Sequence, residues 1–207
     1  SESDNILYAR SNKLGKEIKV ERKSVSLFLQ GQEIKSYRIL PSGKVVILPY
    51  RIEEGQAGFI AEKEFKEKFP KTFAYLWENK HYLEKREQGK MRGANWYAYV
   101  YPKNIEVMST RKILVPDIAD RASFALDETG EYAFTSGYGI ILKETIIESP
   151  KYILGLLNSK VLEFYLKKIS TTLRGGFFRY FTQYIKQLPI RTINFGEFTD
   201  KGRHDQM

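Results

Sequence analysis

Few residues in this 207-residue chain have the types and spacing that chemistry needs, and each falls short of a complete site. Pro116-Asp117 follows a predicted strand, where a metal-dependent nuclease would set its first carboxylate. Such a site needs a second acid and a lysine downstream, Asp/Glu-x-Lys, so that two carboxylates hold the metal and the lysine assists the attacking water. After Asp117 no Asp or Glu is followed two residues later by Lys. Triplets such as Glu17-Ile-Lys19, Glu33-Ile-Lys35, Glu64-Phe-Lys66 and Glu78-Asn-Lys80 all precede it. There is no cysteine, and the two histidines are His81 and His204. Thiolate zinc sites and disulfides are therefore excluded, and neither histidine sits where a triad base or metal ligand would be expected. Gly137-Tyr138-Gly139 lacks the third glycine and following helix of a nucleotide loop and reads as a bend between strands. There is no P-loop and no Pro-Pro, so the Asn/Asp-Pro-Pro-Tyr/Phe motif of amino-methyltransferases is absent from the sequence.

What remains is basic and aromatic. Lys and Arg number 34 against 25 Asp and Glu, a net charge of +9, and aromatics make up 14%. A chain this basic is suited to phosphate or another acidic partner. Three segments combine positive charge with flat side chains. The first runs from Lys85-Arg86 to Tyr101 and carries Lys90, Arg92, Asn95, Trp96, Tyr97 and Tyr99. The second holds Arg111, Lys112 and Arg121, and the third is Arg174-Gly175-Gly176-Phe177-Phe178-Arg179-Tyr180. Lys and Arg neutralise phosphates, Arg grips guanine edges and Asn pairs with adenine. Paired glycines let a backbone come close to a phosphate. The candidate DNA-binding residues are thus Lys90, Arg92, Asn95, Trp96, Arg111, Lys112, Arg121, Arg174, Arg179 and Tyr180. The competing reading makes Trp96, Phe177 and Phe178 hydrophobic anchors and leaves Lys63, Lys66, Lys68 and Lys71 as a solvated helix face.

The elements that must position these residues read as α+β, with a mixed, mostly antiparallel curved sheet, a helical insertion and C-terminal helices. Strands are expected at 18–23, 25–30, 44–50 and 58–61, then two helices over 61–87, the second opened by Pro70. Strands resume at 105–109 and 112–116, with a hairpin pairing 123–126 and 132–135, and a strand at 138–143. Ser149-Pro150 starts a helix of about five turns, and a short helix lies near 182–187. The chain is expected to be one domain with a core over about 25–192 and a loose tail at 198–207. No apolar run approaches the ~18 residues that span a bilayer, and Ser1 to Asn5 is polar rather than signal-like. A soluble, cytoplasmic protein without a membrane partner is expected. The chain begins without Met, consistent with an excised fragment.

The ordered set of motifs has a likeness. Arg111-Lys-Ile-Leu-Val-Pro116, then Arg121-Ala-Ser-Phe-Ala-Leu-Asp127 with Gly130-Glu-Tyr132, are followed by Tyr152-Ile-Leu-Gly-Leu-Leu-Asn-Ser-Lys160. Leu173-Arg-Gly-Gly176 and Gln187-Leu-Pro-Ile190 close the run, and Gly31-Gln-Glu-Ile-Lys-Ser-Tyr37 precedes it. Over about residues 25–192 the chain resembles the TaqI-like C-terminal specificity domain of type IIG restriction enzymes and adenine-specific DNA methyltransferases. More distantly it resembles the specificity subunits of type I systems. The resemblance implies a target-recognition domain that reads double-stranded DNA through the major groove and is not an enzyme on its own. A methyltransferase domain of the same parent polypeptide would bind S-adenosylmethionine, with Mg²⁺ if a nuclease domain is present, and no cofactor is expected in this chain. Two other classes compete: a module that docks proteins, and a stand-alone metal-dependent nuclease.

Overall fold

A computed structural model describes residues 5–206, so the first four residues of the polar start lie outside the described chain. Strands β1 (Ile6–Arg10) and β2 (Glu17–Glu21) open it, followed by β3 (Val25–Gln30), β4 (Ile34–Lys35) and β5 (Arg38–Ile39). Next come β6 (Val45–Ile47), β7 (Tyr50–Glu53) and β8 (Gln56–Phe59), then helices α1 (Glu62–Lys68), α2 (Pro70–Glu78), α3 (Lys80–Glu84) and α4 (Arg86–Gly89). The second half brings β9 (Lys112–Pro116), β10 (Ile118–Ala119), β11 (Ala125–Asp127), β12 (Tyr132–Thr135) and β13 (Gly137–Ile140). Helices α5 (Pro150–Leu157) and α6 (Lys160–Ile169), strands β14 (Thr172–Leu173) and β15 (Phe177–Arg179), and helices α7 (Thr182–Ile185) and α8 (Phe198–Asp205) complete the chain. The fold is α+β. In place of one curved sheet there are several small sheets, with antiparallel pairing wherever the register is defined.

The chain divides into two compact units, where the sequence reads as one domain. The first comprises the chain up to Leu27 and Lys44–Ser109, and the second Phe28–Gly43 and the chain from Thr110 on. In the first unit α2 begins at Pro70, whose fixed φ suits the opening position of a helix. Its orphan amides are met from a strand. The Glu21 carboxylate accepts from Lys71 N (3.0 Å), Thr72 N (2.9 Å) and the Thr72 hydroxyl (2.7 Å) while being 4% exposed. The unit's core gathers Ile60, Phe65, Phe73, Leu76, Trp96 and Tyr97.

Burial pushes the Glu21 carboxyl up, but the Thr72 hydroxyl and the Lys71 and Thr72 amides outweigh it and hold the group below its ordinary value. Charge-assisted bonds of this kind contribute about 1.5–3 kcal/mol. A depressed folded pKa stabilises fully above the unfolded value, near 4.3, and that contribution is lost as pH falls through the folded value. Glu21→Gln is therefore expected to cost roughly 1–2 kcal/mol at pH 7. The gap should close on acidification below about pH 4. Urea unfolding read by tryptophan fluorescence reports this unit, because both tryptophans, Trp77 and Trp96, lie in it. A gap unchanged from pH 7 to pH 3 refutes the assignment.

In the second unit β9 is the central strand, paired with β11 on one side and β13 on the other. All five of its residues are buried. One core packs Ile113, Val115 and Phe124 against Ile153, Leu157, Leu162 and Leu166 of α5 and α6. A second joins Leu29, Ile34, Leu114 and Ala125.

Four expectations change here. The hairpin expected from 123–126 and 132–135 does not form: β11 pairs with β9, while β12 neighbours β3. The Asp127 carboxylate accepts from Glu131 N (3.1 Å) and Tyr132 N (3.2 Å), closing the loop locally and freeing both strands for other partners. The five-turn helix divides at Asn158-Ser159, within the Tyr152–Lys160 motif whose family resemblance implies a helix junction there, and the Ser159 hydroxyl accepts from Leu162 N (3.2 Å) to cap α6. Residues 105–107 form a 3-10 turn after Asn104, at φ 55°, instead of a strand. The tail beyond Glu197 is α8, with Asp200 and His204 buried. Ser149 N donates to His204 Nε2 (2.9 Å), which holds that helix in place.

Candidate nucleic-acid interface

The Gly31–Tyr37 motif is a scaffold in the second unit. A Cβ on Gly31 would lie 2.3 Å from Ser136 O and 3.2 Å from Pro116 Cβ, so only glycine fits. Glu33, 6% exposed, accepts from Gln30 N and Ser42 N at 2.7 Å each. Ile34 fills the core, and Tyr37, at φ 62°, donates its amide to Phe124 O (2.8 Å). Asn158 grips the same peptide: Phe124 N donates to its Oδ1 (3.0 Å) and its Nδ2 donates to Phe124 O (2.9 Å). The Ser36 hydroxyl donates to Asn158 Oδ1 as well (3.1 Å). Buried peptide groups must be paired, and here an amide side chain supplies the pairing a neighbouring strand would give.

This scaffold borders an open cleft of about 380 Å³ lined by Gln32, Lys35, Asp117, Asp120, Ser123 and Phe177 among others. On one flank β15 pairs with β10 and β14, and Leu173 opposite Phe177 closes a three-residue loop of Arg174, Gly175 and Gly176. Both glycines have positive φ, 87° and 80°, which tightens the turn and leaves Arg174 exposed at its tip. Phe177, 42% exposed, forms part of the cleft wall.

The predicted site residues sort by burial. Three have no surface to offer a duplex, and the structure removes them from the direct-contact set. Lys112 and Asp127 side chains are each 1% exposed and meet at 2.5 Å. Tyr180 is fully buried against Phe124, and burial pushes its hydroxyl far above the ordinary phenol value. Trp96 is fully buried in the first unit, its indole Nε1 donating to Glu62 (2.8 Å). Arg179 is half-buried with its guanidinium over the Phe181 ring at 4.8 Å. Arg111 is exposed but paired with Glu128, and Arg121 is paired with Asp120 at 3.0 Å. The hydrogen bond from Arg121 holds the Asp120 carboxyl below its usual range, against weak desolvation. Surface pairs of this kind are worth ~0–1 kcal/mol, so both arginines can exchange partners.

In the first unit, the segment from Lys85 to Tyr101 is half scaffold and half display. Arg86, a cation of that basic run, is turned inward: it donates to Leu83 O (2.8 Å), Trp96 O (2.8 Å) and Ala98 O (2.9 Å). Tyr97 donates to Ile60 O (2.5 Å) and Tyr99 to Ile47 O (2.6 Å), and burial raises each hydroxyl to about 12. Between the Arg86 clamp and the Trp96 anchor runs a turn with Gly89 and Gly93 at φ 90° and 97°. Lys90, Arg92 and Asn95 stand exposed on it.

Gln32 and Lys35 line the cleft and are not among the residues singled out from the sequence. Their signal was the Gly31–Tyr37 motif itself, whose outward residues alternate with the buried Glu33 and Ile34. Among the described residues, no group of three or more His, Asp or Glu side chains is placed to hold a metal ion. Nor is any helix of the described residues long and apolar enough to cross a membrane.

Comparison with known proteins matches residues 26–190 to a family model described as the TaqI-like C-terminal specificity domain. The type II methyltransferase M.XhoI of Xanthomonas vasicola is 28% identical over 159 residues, covering 77% of this chain and 27% of the relative. The type II restriction enzyme and methyltransferase RM.Eco57I of Escherichia coli is 27% identical over 179 residues, 82% of this chain and 18% of the relative. The type II methyltransferase M.BanIII of Aneurinibacillus aneurinilyticus is 32% identical over 124 residues, 59% of this chain and 21% of the relative. The chain spans well under a third of the length of each.

Proposed function

Since the chain belongs to the family of TaqI-like C-terminal specificity domains, we propose that it recognises a specific double-stranded DNA sequence on behalf of a type II adenine methyltransferase. The match over residues 26–190 carries this reading. In it, the chain performs no chemistry. S-adenosylmethionine, and Mg²⁺ where a nuclease is present, belong to catalytic domains of the same parent polypeptide.

The exposed turns supply chemistry that suits the task. Arg174 and Arg92 sit at glycine-bent tips, where a guanidinium can meet a phosphate or the O6/N7 edge of guanine. Asn95 and Gln32 carry amides that match the N6/N7 edge of adenine. Lys35 and Lys90 are point charges for the backbone, setting register without choosing sequence.

Selection from a randomised duplex pool, with anisotropy titrations at several salt concentrations, tests the reading. One short sequence should be enriched, and affinity should fall steeply with salt. Arg174→Ala should weaken binding by roughly 1 kcal/mol or more. Arg179→Ala should do less, because its guanidinium is engaged with Phe181. Absence of any enriched sequence overturns the proposal.

A further inference from the structure

Outside the family match, the β1–β2 hairpin and the turn after it gather positive charge. Between positions 10 and 23 there are six cations, Arg10, Lys13, Lys16, Lys19, Arg22 and Lys23, and two acids, Glu17 and Glu21. All six cations are exposed, whereas Glu21 is buried at the start of α2. Among the described residues only Lys16 of the six has an acidic partner, Glu78 at 2.9 Å. Lys13 and Lys19 hold their ammonium groups over tyrosine rings, at 4.1 Å from Tyr82 and 5.3 Å from Tyr8. Contact with a ring leaves a cation's charge in place.

The hairpin is also rigidly mounted. The register sets Tyr8 opposite Lys19 and Arg10 opposite Glu17 on one face. Val20, on the other, is buried. Ser11 Oγ meets Tyr75 Oη at 2.9 Å, Lys16 bonds Glu78, and Glu21 holds the first turn of α2, so three points fix the hairpin to that helix. Fixed charges lose less freedom on binding than mobile ones do.

We infer that the β1–β2 hairpin and the turn after it, through Arg10, Lys13, Lys19, Arg22 and Lys23, form a second duplex-contacting surface that grips phosphates without regard to sequence. This rests on the proposed DNA-binding function. Backbone contacts leave a measurable signature, a salt slope of about −0.9 per phosphate neutralised.

The test is the salt dependence of duplex binding by the whole chain carrying Arg10→Gln, Lys13→Gln and Lys19→Gln together. A second variant, Arg22→Gln with Lys23→Gln, guards against misfolding of the first. The charge control is Lys63→Gln, Lys66→Gln and Lys151→Gln, three exposed cations placed elsewhere. The triple variant should lower the slope by about two to three and the double variant by about one to two, with the selected sequence unchanged and the control near the parent. An unchanged slope in both variants, or an equal loss in the control, overturns this inference alone. Failure of the unsubstituted chain to bind any duplex overturns the DNA-binding function and this inference together.

Discussion

Asp127→Ala is expected to cost the second unit about 3–5 kcal/mol, the price of leaving a buried charge without its counter-ion. Lys112 and Asp127 face each other across the β9–β11 pair, with both side chains 1% exposed. The ammonium reaches the carboxylate at 2.5 Å and Thr110 O at 3.1 Å. The carboxylate also accepts the Glu131 and Tyr132 amides. Removing Asp127 therefore takes the carboxylate from a buried ammonium and the acceptor from two loop amides at once. Lys112→Met should cost less, because the carboxylate keeps both amide donors. Lys112→Met with Asp127→Leu should recover part of the loss, since no charge is left behind while the two amides remain unpaired. With no tryptophan in this unit, denaturation is best followed by far-UV circular dichroism or by hydrogen exchange of β9 amides. A loss below about 1 kcal/mol for Asp127→Ala would show that the pair contributes little, as exposed pairs do.

Trp96→Ala is expected to cost about 3–5 kcal/mol in the first unit, by cavity formation and lost transfer energy. The indole is fully buried, edge-on to Phe73, Trp77 and Tyr97 at 6.1, 5.9 and 5.0 Å, and bonded to Glu62. Trp96→Phe refills part of the volume and should lose roughly half as much, leaving the chain folded at 20 °C. The fluorescence of Trp77 remains to report unfolding. This milder variant also separates the two roles considered for Trp96. An enclosed anchor predicts duplex affinity within about twofold of the parent, whereas a base-stacking platform would lose roughly 1 kcal/mol or more. Retained stability with lost affinity would return Trp96 to the interface.

The family and much of the element order were legible in the sequence because local chemistry encodes them. Pro70 and Ser149-Pro150 mark helix starts whatever surrounds them, and the apolar spacing of residues 153–166 is helical on its own. The break at Asn158-Ser159 was visible only as a motif. There Ser159 is extended, at φ −67° and ψ 147°, and the Asn158 side-chain amide pairs the backbone of Phe124, 34 residues away. The hairpin error has a tertiary origin. Turn residues at 127–130 fit a hairpin, but strand partners are chosen by which faces can be buried, and β11 pairs with the wholly buried β9 instead.

The sequence by itself determined that the chain is basic and α+β, that it lacks cysteine, and that it carries the ordered motifs of a specificity domain, because composition and short-range spacing survive without coordinates. Only the tertiary structure decided which cations face out. Lys112 and Arg111 are neighbours with the same charge, yet one is enclosed with Asp127 and the other lies at the surface beside Glu128. Arg86 and Arg92 differ likewise, one clamped on three carbonyls and the other exposed on a turn. The physical reason is that burying a charge is favourable only when distant parts of the chain bring it a partner, and those partners are set by the fold.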